Sequence, residues 1–141
     1  MQECSYTFSD SVNKKGIEFI TIFEQPKLLV NSDVNILHKV LCNVIDNSIK
    51  YTNEGKVEII VSETPSYAII KVQDTGIGIP QEDIDRIFER FYRVDKARSK
   101  AVGGTGLGLA IVKHIIDAHS SKIIVESVFG KGSRFSFKLK K

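Results

Sequence analysis

The sequence predicts a two-layer α/β sandwich, in which a mixed, mainly antiparallel sheet of about five strands carries three main helices on one face. Three observations carry this. Leu37 to Tyr51 has the periodicity of a long helix with a core-packed side. Two pairs of β-patterned runs are joined by short turns, as hairpins require. Helices and strands interleave along the chain, so hairpins alone do not account for the sheet.

The central helix comes first. At about 100° per residue, Leu37, Val40, Leu41, Val44, Ile45 and Ser48 share one broad arc. Ser32 or Asp33 is placed to cap its start. Before it, residues 5 to 8 suggest a short strand, and Ser9 or Asp10 a helical turn through Lys15 that Gly16 stops. Ile17 to Phe23 is rich in β-branched and aromatic residues and predicts a strand; Leu28 to Val30 suggests a brief second one. After the helix, Asn53-Glu54-Gly55 is a turn, and Lys56 to Ser62 and Tyr67 to Gln73 form a hairpin around Pro65. Pro80 is positioned to open a helix over Gln81 to Phe88, with Glu82 and Asp83 where the helix dipole favours acids. Residues 95 to 104 lack apolar periodicity and read as a mobile loop. A helix then begins near Gly108 with Leu107, Ala110, Ile111, Ile115 and Ala118 on its inner face. Lys122 to Val128 and Ser133 to Leu139 close the chain as strands about a glycine turn.

Composition narrows the function. The 141 residues suit one domain with a real core, at 42% hydrophobic and 26% charged residues. A net charge of +3, evenly spread and without a basic run interleaved with aromatics, argues against nucleic acid. No apolar run approaches the roughly 18 residues of a spanning helix, and no signal pattern opens the chain, so a soluble domain is expected. Cys4 and Cys42 form no metal or redox motif, which favours inert thiols in a reducing compartment.

Chemistry gathers in a few stretches. Asn43, Asn47 and Lys50 share a second arc of the central helix, spanning only about 60°. Carboxamide oxygens suit a hard cation such as Mg²⁺ that keeps water and phosphate in its shell, and a lysine suits the phosphate. Taken alone, that arc would pass for a solvated helix edge. Asp74-x-Gly76-x-Gly78 places a carboxylate at a strand end before two residues that permit close backbone approach. Such a carboxylate can accept from the exocyclic amine of adenine, where guanine presents a carbonyl. Gly103-Gly-Thr-Gly-Leu-Gly108 sets free N–H groups beside a helix N-terminus, an anion site, and matches neither the Walker A nor the dinucleotide fingerprint.

Together, Asn43-x-x-x-Asn47-x-x-Lys50-Tyr51, Asp74-Thr-Gly-Ile-Gly-Ile-Pro80, Arg86 to Arg93 (RIFERFYR) and Gly104-Thr-Gly-Leu-Gly-Leu109 resemble, in order and spacing, the N, G1, F and G2 boxes of bacterial sensor histidine kinases. The resemblance covers essentially the whole chain as the catalytic, ATP-binding domain, and implies the Bergerat α/β sandwich with ATP and Mg²⁺ as cofactors. It implies that Asn47 holds Mg²⁺, that Asn43 supports the metal and phosphate end, and that Lys50 and Arg93 reach the phosphates, Asn43, Lys50 and Arg93 being the catalytic set. Tyr51 and Ile79 would lie by the adenine, and Asp74 would take its amino group, with Gly76 and Gly78 allowing the approach. Residues 95 to 104 would be a lid, and Gly104, Thr105, Gly106, Leu107 and Gly108 would close over the triphosphate. Phe88 and Phe91 would be packed, or would anchor that lid.

Related ATPases on this fold are similar in placing Glu four residues before the metal asparagine, as a base for water. Here Asn43 stands there, and an amide cannot accept a proton at neutral pH. An imidazole acceptor has less need of a base, so transfer to histidine is favoured over hydrolysis. His38, His114 and His119 lie outside any phosphoacceptor-like context. The histidine-bearing dimerisation domain is therefore expected outside these residues, with a cognate response regulator as further partner and the isolated domain monomeric. By resemblance the domain is cytoplasmic and its parent membrane-anchored. A gyrase-like ATPase switch and an inert docking module are the alternatives.

Overall fold

The computed structural model describes residues 2–94 and 106–141. Alternation builds the sheet. Val57, Ile59 and Val61 of β2 (Lys56–Glu63), Ala68, Ile70 and Val72 of β3 (Tyr67–Asp74), and Phe135, Phe137 and Leu139 of β5 (Gly132–Lys140) are all buried on one face. Register holds them in rows: Ile59 faces Val72, which faces Phe135, and Val61 faces Ile70, which faces Phe137. With β1 (Glu18–Phe23) and β4 (Ile124–Val128) the strand order is β1-β2-β3-β5-β4. β1 runs parallel to β2 and the other pairs are antiparallel. A parallel pair needs a crossover, which the central helix provides.

That helix, α2 (Val34–Lys50), buries Val40, Leu41, Val44, Ile45, Ser48 and Ile49 against the sheet. Asp33 caps it: Oδ1 accepts from the backbone N–H of Asn35 at 2.8 Å and Ile36 at 3.2 Å. Ser32 turns away and bonds His119 Nε2 at 3.0 Å. His119 Nδ1 bonds the Ile115 carbonyl at 2.8 Å, holding the end of α3 (Gly108–Ala118). The core also takes Phe8 from α1 (Gln2–Lys15), Ile87, and Val112 and Ile116 from α3. Burying each such side chain is worth about 1.5–3 kcal/mol.

The two-layer fold, the mixed five-stranded sheet and, among the described residues, a count of three helices agree with expectation, though α1 and not the 81–88 stretch supplies the third. Five local features differ. Residues 5 to 8 are not a strand but part of the single helix α1; its polar sequence hides the signal, and Phe8 and Val12, one turn apart, dock it on the core. Gly16 does stop it, at φ +67. Leu28 to Val30 forms no strand; Leu28 and Val30 pack on the core while Asn31 N–H ties to the Lys140 carbonyl at 3.0 Å. The stretch expected as a helix over 81–88 is one 3₁₀ turn, Gln81–Asp83, followed by further turns. Its bonds run i to i+3, as in Arg86 N–H to the Asp83 carbonyl and Glu89 N–H to the Arg86 carbonyl, at 2.9 and 3.0 Å. Tertiary ties hold it so: the Tyr92 hydroxyl reaches back to Asp83, and Phe91, at φ 64, donates its N–H to the Gly106 carbonyl at 2.9 Å. Phe88 packs on the core as expected, but Phe91 is 68% exposed. In α3 the fully buried residues are Val112 and Ile116, whereas Ala118 is exposed; Lys113, His114 and Asp117 form the outer face, and the inner arc lies opposite them, rotated from the one expected.

Candidate functional site

The C-terminal half of α2, the loop after β3, the 81–94 segment and the start of α3 enclose two adjoining clefts. One, of about 610 Å³, is lined by Tyr51, Asp74, Ile77, Gly78, Ile79 and Phe135 among others. The second, of about 340 Å³, is lined by Asn43, Asp46, Lys50, Gly106, Leu107 and Gly108 among others. Asn47, Tyr51, Tyr92, Arg93, Ile87 and Leu109 line both, so the site is one groove with Asp74 toward one end, Asn43, Asp46 and Lys50 toward the other, and Asn47 where they meet.

At the first end, Asp74 closes β3. Burial pushes its carboxyl above the usual carboxylate range, against the Gly76 N–H, the Ser48 hydroxyl and the Ser133 N–H, which favour the charge. The Gly76 N–H donates to Oδ1 at 2.9 Å, an Asx-type turn that re-aims the chain. Ser48 Oγ is buried without a partner in hydrogen-bond geometry, so its support of Asp74 is longer-range. The glycines are steric requirements. A Cβ on Gly76 would lie 2.8 Å from Thr52 Oγ1 and 2.9 Å from Asp74 Oδ1, and one on Gly78, at φ +70, would press into the Val128 carbonyl. The β4–β5 turn clamps the loop from outside: Ile79 N–H donates to Ser127 Oγ at 2.7 Å and Gly130 N–H to the Ile77 carbonyl at 2.6 Å.

At the second end, Gly108 opens α3 against Asn43, whose Oδ1 would lie 3.3 Å from a Cβ placed there. This brings the carboxamide edge of α2 to a helix N-terminus, the combination that favours anions. Lys50 Nζ rests on Asp46 Oδ2 at 2.9 Å, and both line this end. Gly106, at φ +75, packs on the Phe91 backbone beside Arg93.

Asn43, Asn47, Lys50, Tyr51, Asp74, Gly78, Ile79, Arg93, Gly106, Leu107 and Gly108 thus line one groove, with Gly76 directly beneath. Gly104, Thr105 and the lid over 95 to 104 lie outside the described residues. Sequence reasoning missed Asp46, Tyr92, Phe129 and Ser133. Asp46 is one turn before Lys50 and was legible as an i,i+4 partner. Tyr92 sits inside the Arg86–Arg93 box, whereas Ser133 reaches the groove by pairing with Asp74 and Phe129 by the β4–β5 turn that carries it, which no local pattern records. Among the described residues, no group of three or more His, Cys, Asp or Glu side chains could hold a metal. The carboxamides of Asn43 and Asn47, with water and phosphate completing the shell, are a donor set of the kind that suits Mg²⁺.

Residues 32–141 match the family of histidine kinase-, DNA gyrase B-, and HSP90-like ATPases. The sensor histidine kinase WalK of Bacillus subtilis (strain 168) is 42% identical over 133 residues, which are 92% of this chain and 22% of WalK. The catalytic domain of the histidine kinase ThkA, in a nucleotide-free form, superposes with a TM-score of 0.85 at 31% identity, covering 99% of this chain and 90% of that one. Full-length ShkA in complex with AMPPNP gives 0.85 at 29% identity, over 98% of this chain and 28% of ShkA. The chain thus spans about a fifth of the length of WalK.

Proposed function

The chain belongs to the histidine kinase-, DNA gyrase B-, and HSP90-like ATPases, as a histidine-kinase catalytic domain, and on that premise we propose that it holds Mg²⁺-ATP in the groove and transfers the γ-phosphoryl group to a histidine on a separate dimerisation domain. One observation carries this: a half-buried carboxylate with close-approach glycines lies at one end of a groove whose other end gathers two carboxamides, a lysine and a helix N-terminus. Adenine fits the first end and a triphosphate the second.

Asp74 accepts from the adenine amine, Gly76 and Gly78 let the ring lie against the chain, and Ile79 and Tyr51 cover it. Asn47, supported by Asn43, would hold Mg²⁺, which neutralises triphosphate charge and orients it. Lys50, moving from Asp46 to phosphate, and Arg93 place cations around the transferring group. Gly106, Leu107 and Gly108 present backbone N–H groups and the α3 dipole to the phosphates, and Gly104 and Thr105 belong to the same motif. The position four residues before Asn47 is an amide, so no base activates water there, and an imidazole acceptor fits the site better. Given the length of the relatives, the acceptor histidine belongs to a further domain, and a response regulator is the downstream partner. A membrane-anchored parent with this domain in the cytoplasm fits the reading. No described helix is long and apolar enough to cross a membrane.

Calorimetric titration with a nonhydrolysable ATP analogue, with and without Mg²⁺, tests this on the native chain, Asp74→Ala and Asn47→Ala. The native chain should bind, Asp74→Ala should abolish binding, and Asn47→Ala should remove the Mg²⁺ dependence. Steady ATP turnover by the domain alone would point to a hydrolysing switch, and failure of the native chain to bind would sink the reading.

A further inference from the structure

The last carbonyls of a helix are orphans that need donors, and at the end of α2 they are shared among three parts of the molecule. The Tyr51 N–H takes the Asn47 carbonyl at 3.2 Å, Thr52 Oγ1 takes that of Ser48 at 2.7 Å, and the Thr52 N–H takes that of Ile49 at 3.3 Å. The Tyr51 carbonyl accepts from Ile77 N–H, in the groove wall, at 3.1 Å. A side chain from far away supplies the rest. Lys15, the last residue of α1, donates from Nζ to the carbonyls of Ile49 at 2.7 Å, Lys50 at 3.0 Å and Thr52 at 3.3 Å.

An ammonium has three donors and a positive charge, so it matches a cluster of three carbonyls at the negative end of a helix dipole. The turn it caps bears Asn47, Lys50 and Tyr51, and the next carbonyl along holds Ile77. From Lys15 to the groove wall the path is therefore its bonds to the carbonyls of Lys50 and Thr52, the Tyr51 backbone between them, and the Ile77 N–H on the Tyr51 carbonyl. Among the described residues, Phe8 and Val12 also pack α1 on the core, and the helix passes through Gly16 straight into edge strand β1, with Glu18 N–H on the Gly55 carbonyl at 2.9 Å.

The geometry points to Lys15 as a positioning residue that couples the N-terminal helix to the nucleotide groove: it sets the pose of the last turn of α2, so that displacement of α1 loosens Asn47, Lys50 and Tyr51 together. This rests on the nucleotide reading above and adds regulation of that site from the N-terminal side. Coupling is reciprocal, so nucleotide must also tighten α1.

The test uses the 141-residue chain and a nonhydrolysable ATP analogue with Mg²⁺. Lys15→Met keeps the aliphatic stem and removes the donors; Lys14→Met, at an exposed neighbour, is the control. Measured well below the unfolding transition, Lys15→Met should weaken the analogue at least about five-fold, the low end of ordinary coupling, with Lys14→Met within about two-fold. A merely structural lysine would lower the melting temperature and leave the Kd alone. In the unaltered chain, the analogue should slow hydrogen exchange at the Gly16 and Ile17 amides, which close α1 on the Asn13 and Val12 carbonyls. That measurement decides the matter even if Lys15→Met does not fold. Unchanged affinity in Lys15→Met, or no added protection at those amides, overturns the inference. Failure of the unaltered chain to bind the analogue overturns instead the nucleotide reading beneath it.

Discussion

Gly76→Ala isolates the steric half of adenine recognition. The Gly76 φ lies outside the left-handed region, so alanine meets no backbone strain there and only space is at issue. Its Cβ would lie 2.8 Å from Thr52 Oγ1, 2.9 Å from Asp74 Oδ1, and still closer to the Tyr51 carbonyl oxygen. Comfortable non-bonded contact begins near about 3.5 Å, so the loop must retreat by more than half an ångström. It cannot do so freely. Gly76 N–H is bonded to Asp74 Oδ1 at 2.9 Å and Ile77 N–H to the Tyr51 carbonyl at 3.1 Å, and both bonds pull against the displacement. Overpacking of this kind costs about 1–3 kcal/mol, which for a domain of this size is a melting-temperature loss of roughly 3–15 °C. Asp74 moves with the loop, and a displaced hydrogen bond to a charged group is worth about 1.5–3 kcal/mol, or roughly 10- to 150-fold in affinity. Calorimetry with an ATP analogue and a thermal melt measure both. A variant that melts like the native chain and binds within two-fold of it would refute the claim that Gly76 is there for space.

Two further outcomes are expected. Burial raises the Asp74 carboxyl, so the nucleotide-free fold binds a proton more readily than the unfolded chain does. Stability of the free domain should therefore fall as pH rises from the ordinary carboxylate value through the raised native one, while analogue affinity should fall as pH drops below that native value, because the adenine amine needs the ionised acceptor. Asp74→Asn should flatten both profiles; an unchanged pH slope in that variant would assign the titration elsewhere. Asp33→Ala removes the α2 cap, with bonds of 2.8 and 3.2 Å, and should cost about 1 kcal/mol by chemical denaturation. The cap is at the opposite end of α2 from Asn47, so affinity should stay within about two-fold.

Much of the architecture is written locally. The α2 face from Leu37 to Ser48 follows from a 3.6-residue repeat, and the β2–β3 hairpin from alternation about a turn. The groove residues were legible for the same reason: Asn43, Asn47 and Lys50 share a helix edge, and the glycines of 76, 78, 106 and 108 are punctuation that sequence carries openly. Where the signal is weak or ambiguous, context decided. The polar α1 became a helix because Phe8 and Val12 found the core, and the 81–94 stretch stayed in turns because Tyr92 and Phe91 are tied to Asp83 and Gly106.

By itself, then, the sequence determined the elements with strong periodicity and the residue types that must meet a nucleotide, since both are set by spacings of a few residues. Tertiary structure alone decided that Ser133 faces Asp74, that β1 joins the sheet parallel to β2, and that Lys15 ends on the carbonyls of α2. Each of those contacts closes a loop of tens of residues, and its free energy depends on what the rest of the chain has already packed, which no local spacing encodes.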